Sequence, residues 1–276
     1  MKKIFIAYEE LAEREGSVQL RGFQVFDALS KLNTLPHVEI IGVSRLIKEN
    51  PKNEIILCVK PQHYELYKKI DSSNFIIFDI LDTIGLVEPA DLNHISAAIF
   101  CSNKIRSRFS QKFKYPDLCK TIYHHWDTRI SLSPVEQETF SIGYFGERWK
   151  ARIYPGIGRD ISLYYADYLD KLNHHNCHYI LRPDNHIRNF EPLTKISSAA
   201  LVGAVVISDA DHSTELLGYN YPYYVNASIP DMFRKVRNSF GSSEWNFARQ
   251  IMSDIKERTS LSSTIKEYEN LFKEIL

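Results

Sequence analysis

The chain has no excess charge of either sign: 34 Lys and Arg face 34 Asp and Glu, a formal net charge of zero. A surface built to track nucleic-acid phosphates needs a surplus of cations, so no nucleic-acid partner is expected. No run of about 18 apolar residues occurs, so no segment reads as a membrane span. The opening MKKIFIAYEE has two lysines, but its apolar run stops at Glu9, so it reads as a first strand and not as a signal peptide. Cysteine is scarce, and Cys58, Cys101, Cys119 and Cys177 form no C-x-x-C pair of the zinc or redox kind. Three of them lie in or beside apolar runs, where a buried free thiol is the ordinary state. A reducing, cytoplasmic compartment is therefore expected. There is no residue-level repeat and no low-complexity segment. The turn after the first strand reads EELAEREGS and lacks G-x-G-x-x-G, which argues against a dinucleotide-dependent dehydrogenase or epimerase.

What is present is ordinary globular material. The chain has 276 residues, 44% hydrophobic and 25% charged, which suits one large domain or two modest ones. Tyr and Phe are plentiful, at 16 and 15 copies, as in an aromatic-rich core or a site that stacks a ring. Short β-branched or aromatic runs predict strands at 3–8, 38–43, 54–59, 75–80, 97–102 and 120–125. Helical spacing falls between them near 17–32, 63–70 and 104–113. The polar stretch 124–140 breaks the pattern and reads as a linker. Strands are then predicted at 140–146, 177–183 and 204–209. Helices are predicted at 160–172, at 192–202 and from 242 to the end. Strand–helix alternation of this kind predicts parallel sheets covered on both faces. The expected fold is α/β, with residues 1–130 and 131–276 forming two Rossmann-like domains that face a cleft. Ligands of such sheets bind beyond the carboxyl ends of the strands, which directs attention to the turns after Tyr8, Ser102, His125, Gly146, Pro183 and Asp209.

The segment EPLTKISSAALVGAVVISDADHSTELLGYNYPYYV (191–225) carries most chemistry. Pro192 opens a predicted helix and Gly203 closes it, ordinary helix punctuation. Lys195 is the misfit, because a cation in the first turn opposes the helix dipole. An anion at that terminus, such as a diphosphate, resolves the conflict. A lysine reaching into solvent or pairing with Glu191 is the plain alternative. Glu215 is either a helix-start acid of the capping-box type or a carboxylate accepting two ribose hydroxyls. Arg182 and Arg188 follow one predicted strand end, and Arg148 and Lys150 follow another, where guanidinium suits phosphate. In YHHWD (123–127), His125 or Asp127 is a candidate base or acceptor-orienting group; a hydrogen-bonded hinge with Trp126 packed across it is the alternative. In HHNCH (174–178) adjacent side chains diverge, and no second ligand pair stands at zinc spacing.

The order PLTK, small-residue helix, GAVVIS and ELLGYNYPYYV resembles the donor-binding half of GT-B-type glycosyltransferases. SIGYFGERWK (141–150) resembles the first strand and turn of that half. GSVQLRGFQVFDAL (16–29) resembles the first loop and helix of the acceptor half. The resemblance departs from the family at Val205, where a proline is usual, and in overall length. It implies a nucleotide diphosphate sugar as donor and no required cofactor or metal. A hydroxyl acceptor on a glycan or lipid-linked precursor of a surface glycan goes with it. Lys195, Arg148, Arg182 and Arg188 would then lie near the diphosphate, Glu215 near the ribose, and Gly146 where backbone approaches the ligand. Gly16, Ser17 and Arg21 would lie on the acceptor side. His125, Asp127 and Lys195 are the catalytic candidates. Two other readings stand beside this one. The chain could be a non-catalytic nucleotide- or sugar-binding protein, or an inactive partner of a transferase. VVISDADH also looks like the D-x-D of metal-dependent GT-A enzymes, with Asp209 and Asp211 on Mg²⁺ or Mn²⁺. The C-terminal amphipathic helices mix acids and bases, as helices that cover a fold do; a homodimer contact or a peripheral membrane contact is their other use.

Overall fold

The computed structural model describes residues 2–81, 94–112, 118–130, 138–147, 152–153, 157–165, 168–181, 193–226 and 228–276. The chain divides into two compact units. The first comprises Met1–His124, Phe190–Pro192 and Leu261–Leu276, and the second His125–Asn189 and Leu193–Ser260.

The first unit is built on a six-stranded parallel sheet. Its strands are β1 (Ile4–Tyr8), β2 (Val38–Gly42), β3 (Ile55–Val59), β4 (Phe75–Ile80), β5 (Ala97–Phe100) and β6 (Leu118–Thr121), in the order β2-β1-β3-β4-β5-β6. Strand alternation loads both faces. Phe5 and Ala7 pack into one core cluster, with Tyr67, Phe78 and Phe100. Ile4 and Ile6 point into the other, with Val25, Leu57 and Ile99. The helical stretch after the first loop joins α1 (Gly16–Val18), a π-helical segment Gln19–Gln24, and α2 (Val25–Leu29). Further helices are α3 (Val43–Glu49), α4 (Tyr64–Tyr67) and α5 (Asn103–Lys112).

The second unit holds a four-stranded parallel sheet of β7 (Ile142–Phe145), β8 (Ile161–Tyr164), β9 (Cys177–Tyr179) and β10 (Val205–Ile207), in the order β10-β9-β7-β8. Its helices are α6 (Thr194–Leu201), α7 (Ala210–Leu217), α8 (Ile229–Asn238) and α9 (Ser243–Arg258). Ser197, Ala199 and Ala200 on α6 are buried, and α6 packs against α9, whose buried face is Trp245, Ala248, Met252 and Ile255. Small side chains at that contact let the helices come close. The last helix, α10 (Leu261–Ile275), corrects the expectation that both terminal helices belong to the second half. Its Ile265, Tyr268, Leu271 and Phe272 complete the first unit's core beside Ile4 and Ile6.

One further local expectation is corrected, and one helix falls where no element was expected. Residues 161–164 form β8, not part of a helix over 160–172: Ile161 is buried while Ser162 and Leu163 are exposed, the half-wet pattern of an edge strand. Residues 43–49 form α3 directly after β2, with Asn50 in the left-handed region as its cap.

In both sheets the first strand of the unit lies inside the sheet, with a later strand on each side. The junctions β1/β3 and β7/β9 are therefore topological switch points, where crossovers depart in opposite directions and ligands of open sheets settle.

Candidate functional site

The second unit's switch point gathers three residues. Gly146 follows β7 with φ of +134°, a backbone state that only glycine adopts without strain. Lys195 stands in the first turn of α6. A Cβ at Gly146 would lie 2.9 Å from Lys195 Nζ and 3.2 Å from its Cε, so the bare turn is the space the ammonium group occupies. Tyr144, two residues back on β7, is the third member. Its ring carries Lys195 Nζ 4.1 Å from the centroid, and its hydroxyl donates to the Glu147 carbonyl at 2.8 Å. The ring's negative face offsets part of the repulsion between the cation and the helix dipole. Sequence reasoning passed over Tyr144. The signal was the strand period, which puts residues 144 and 146 on one side of the chain.

Beneath this turn the second sheet is aromatic and dry. Phe145 stacks on Tyr164 at 5.2 Å and lies 4.6 Å from the His178 ring. His178 Nε2 is 2.9 Å from the Leu172 carbonyl, and a carbonyl only accepts, so the proton is on Nε2. Burial pushes the His178 pKa down to about 3. His175 is also lowered, by burial and then by the neighbouring His174, and its Nε2 meets the Tyr164 hydroxyl at 3.1 Å. In HHNCH, His175 and His178 are thus buried rings with separate partners, and His174 is exposed. Among the described residues no group of three or more His, Cys, Asp or Glu is arranged to hold a metal ion.

The other expected residues are placed as follows. Glu215 is half-buried near the carboxyl end of α7, not at its start, so it is not a capping-box acid. An acid there opposes the dipole, just as Lys195 does at the start of α6. Asp209 precedes α7, and Asp211 stands exposed in its first turn, where an acid suits the helix N-terminus. Arg148, Lys150, Arg182 and Arg188 lie outside the described residues. His125 is 0% exposed. Asp127 is held by Arg129 through Nη2 at 2.6 Å and Nε at 3.0 Å, and through the Arg129 N–H at 3.0 Å. Trp126 N–H donates to the Thr259 carbonyl, and its indole N–H to the Lys256 carbonyl. In YHHWD, then, His125 is buried and the backbone and side chains of Trp126 and Asp127 are held by hydrogen bonds.

Gly16 and Ser17 open the helical stretch of the first unit, at the carboxyl side of β1. Arg21, three residues further on from Val18, points into the first unit. It is 0% exposed, bidentate to Asp79 at 2.9 and 2.8 Å, and it donates to the Ile122 and Tyr123 carbonyls. Tyr268 of α10 donates to the same carboxylate at 2.8 Å. Arg21 supports the loop from below and presents no donor to a surface.

The fold is similar to that of solved glycosyltransferases. HepE of Anabaena, in complex with UDP and glucose, superposes with a TM-score of 0.67 at 13% identity, covering 99% of this chain and 100% of that one. A glycosyltransferase from Rickettsia africae gives 0.69 at 11% identity, covering 99% and 98%. One involved in avilamycin A biosynthesis gives 0.63 at 10% identity, covering 99% and 97%. No family model and no curated protein matches the chain. At these identities the likeness is one of fold: α/β, with two Rossmann-like units of the GT-B kind.

Proposed function

We propose that the chain is a glycosyltransferase that moves a sugar from a nucleotide diphosphate donor to a hydroxyl acceptor. The observation that carries this reading is the Lys195–Gly146–Tyr144 cluster at the second unit's switch point. It offers a cation, seated in a glycine turn, and a helix N-terminus to one anion. The fold shared with HepE, whose structure holds UDP and glucose, supports the choice of ligand.

In this reading Lys195 and the first N–H groups of α6 receive the diphosphate and stabilise the charge that grows on it as the sugar leaves. Glu215 accepts the ribose hydroxyls. Arg148, Arg182 and Arg188 are further candidates for the diphosphate. Gly16 and Ser17 belong to the acceptor side. No metal is required, because the leaving charge already has a cation and a dipole. The reaction runs in a reducing cytoplasm, in keeping with the buried free thiols Cys58, Cys101 and Cys177. The acceptor is a glycan or lipid-linked precursor of a surface glycan.

Thermal unfolding with UDP, GDP, ADP, dTDP and CMP, with and without Mg²⁺, tests the donor site. Ligand at about a hundred times its dissociation constant should add about 2.7 kcal/mol, a rise of several degrees. One diphosphate should act without metal, and Lys195→Ala should abolish the shift. A shift seen only with Mg²⁺ would redirect the site to Asp209 and Asp211. Binding without any turnover would make the chain a nucleotide-binding partner instead of an enzyme.

A further inference from the structure

The Gly146 turn hangs on an edge strand. Among the described residues β8 pairs with β7 alone, from Ile142↔Ile161 to Phe145↔Tyr164. One residue beyond that register, the Gly146 N–H donates to the Tyr164 carbonyl at 3.0 Å. The turn that seats Lys195 is thus tied to the end of a strand with a backbone neighbour on one side. Side-chain contacts then decide where such a strand sits. Tyr164 makes them. Its ring stacks on Phe145 with 7° between the planes, and its hydroxyl meets His175 Nε2 at 3.1 Å.

His175 is itself held on both sides. The Asn176 side chain accepts from the Ser141 N–H at 3.0 Å and donates to the Thr139 carbonyl at 2.8 Å, which fixes the segment to the start of β7. Before it, the turn Leu172–His174 is closed by the bond from His178 Nε2 to the Leu172 carbonyl at 2.9 Å. Gly143 makes the room, because a Cβ there would lie 2.8 Å from His175 Cδ2 and 2.7 Å from Phe145 Cζ. The imidazole has one place, and in it Nε2 faces Tyr164. The residue is 9% exposed. Its Nδ1 is buried and has no hydrogen-bond partner among the described residues. A side chain that only filled this space would be apolar, since an unmet buried polar atom costs stability. The chain keeps an imidazole there and bonds it to Tyr164.

We propose that His175 is a positioning residue of the donor site: through Tyr164 it holds the end of β8, and so the Gly146 turn in which Lys195 is seated, in the geometry that binds a nucleoside diphosphate. This rests on the donor-site reading above. His175 touches neither substrate nor reacting atoms, and its neutral ring is the working form. Burial, and then the neighbouring His174, hold its pKa below the ordinary value. A protonated ring brings a charge and an unmet N–H into the packing and releases Tyr164, so donor affinity falls on the acid side. The titratable groups that face His175 are His174 beside it, Tyr164 on β8 and His178 on β9; the Lys195 charge bears on His178. β7 presents Gly143 and Phe145 there, which carry no charge.

The test measures UDP-glucose binding to the whole chain by calorimetry from pH 5 to 8, with the folded fraction read by circular dichroism at each pH. UDP-glucose has no phosphate that titrates in this range, so any pH dependence belongs to the protein. His175→Phe keeps a packed ring, loses the bond to Tyr164 and cannot titrate. It should bind UDP-glucose about 3- to 10-fold more weakly at pH 8, and the acid-side weakening of the wild type should be absent. Tyr164→Phe should show the same loss, and the double variant no further loss. His175→Gln can still reach the Tyr164 hydroxyl, so it should recover the affinity at pH 8 and stay flat with pH. If folded His175→Phe binds as the wild type does, or if its affinity still falls on the acid side, the positioning role is overturned while the donor site stands. If UDP-glucose does not bind the wild type, the donor-site reading falls, and this proposal with it. Should His175→Phe fail to fold, Tyr164→Phe decides alone: unchanged affinity overturns the role, and the stated loss supports it.

Discussion

Gly146 and Lys195 constrain each other, and the constraint can be separated from backbone strain. A methyl group at position 146 meets the lysine ammonium at 2.9 Å and also forces a side chain to accept φ of +134°. Gly203 is the natural control, because its φ is +74° and nothing lies within 4 Å of its missing Cβ. Gly203→Ala should therefore lose only the backbone term, about 1 kcal/mol. Gly146→Ala should lose more, about 1–3 kcal/mol, and should also displace Lys195 from the Tyr144 ring. Urea denaturation of both variants, repeated with saturating nucleotide diphosphate, reads the two effects. Nucleotide stabilisation should shrink for Gly146→Ala alone. An equal shrinkage in both would uncouple Gly146 from the ligand.

At the scale of elements, the sheet edge at β10 shows how the sequence manages an unpaired strand. Tyr221 places its hydroxyl against the Val206 backbone, accepting from N–H at 2.8 Å and donating to C=O at 2.9 Å. One phenol thus occupies both groups that a further strand would have taken. Tyr221→Phe should leave them buried and unbonded, lowering stability by about 2–3 kcal/mol in chemical denaturation. A loss below about 0.5 kcal/mol would show that the edge finds other partners. Tyr221 belongs to the stretch whose resemblance to a donor-binding half first drew attention, yet its contact is structural. Strands buried on both faces, such as Ile55–Val59, were legible as unbroken apolar runs. The edge strand β8 was not, because Ile161 and Leu163 fit a helical spacing equally well. Lys195 and Gly146 were legible because each breaks a local rule, one of dipole and one of chain geometry. The His175–Tyr164 contact was invisible, since each residue alone is unremarkable and 11 positions separate them. The burial of Arg21 was equally hidden, because its partner Asp79 is an acid in an otherwise apolar strand run.

Over the whole molecule, stability should depend on pH unevenly between the two units. His178 is protonated in the unfolded chain below about pH 6.5 but in the folded one only below about 3, because burial excludes the charged ring. Between those values the unfolded state binds the extra proton. The stability of the second unit must therefore fall as pH drops through that window, by about 1.4 kcal/mol per pH unit at most for one histidine. His175, lowered by burial and by His174, adds in the same direction. The first unit has Glu9. Burial pulls its carboxyl upward, but hydrogen bonds from His63 and Gln62 outweigh it, and the lowered pKa stabilises the fold above the ordinary carboxylate range, a contribution lost only at more acid pH. Tryptophan fluorescence separates the two, because Trp126 and Trp245 belong to the second unit and no tryptophan occurs in residues 1–124 or 261–276. Denaturation followed by tryptophan emission should show a midpoint that declines from pH 6.5 to 4.5. His178→Gln can still donate to the Leu172 carbonyl and cannot titrate, so it should flatten that decline. A midpoint that holds steady over this range in the wild type would mean that the ring takes up its proton in the folded state. The packed aromatic floor beneath Lys195 would then be open to water.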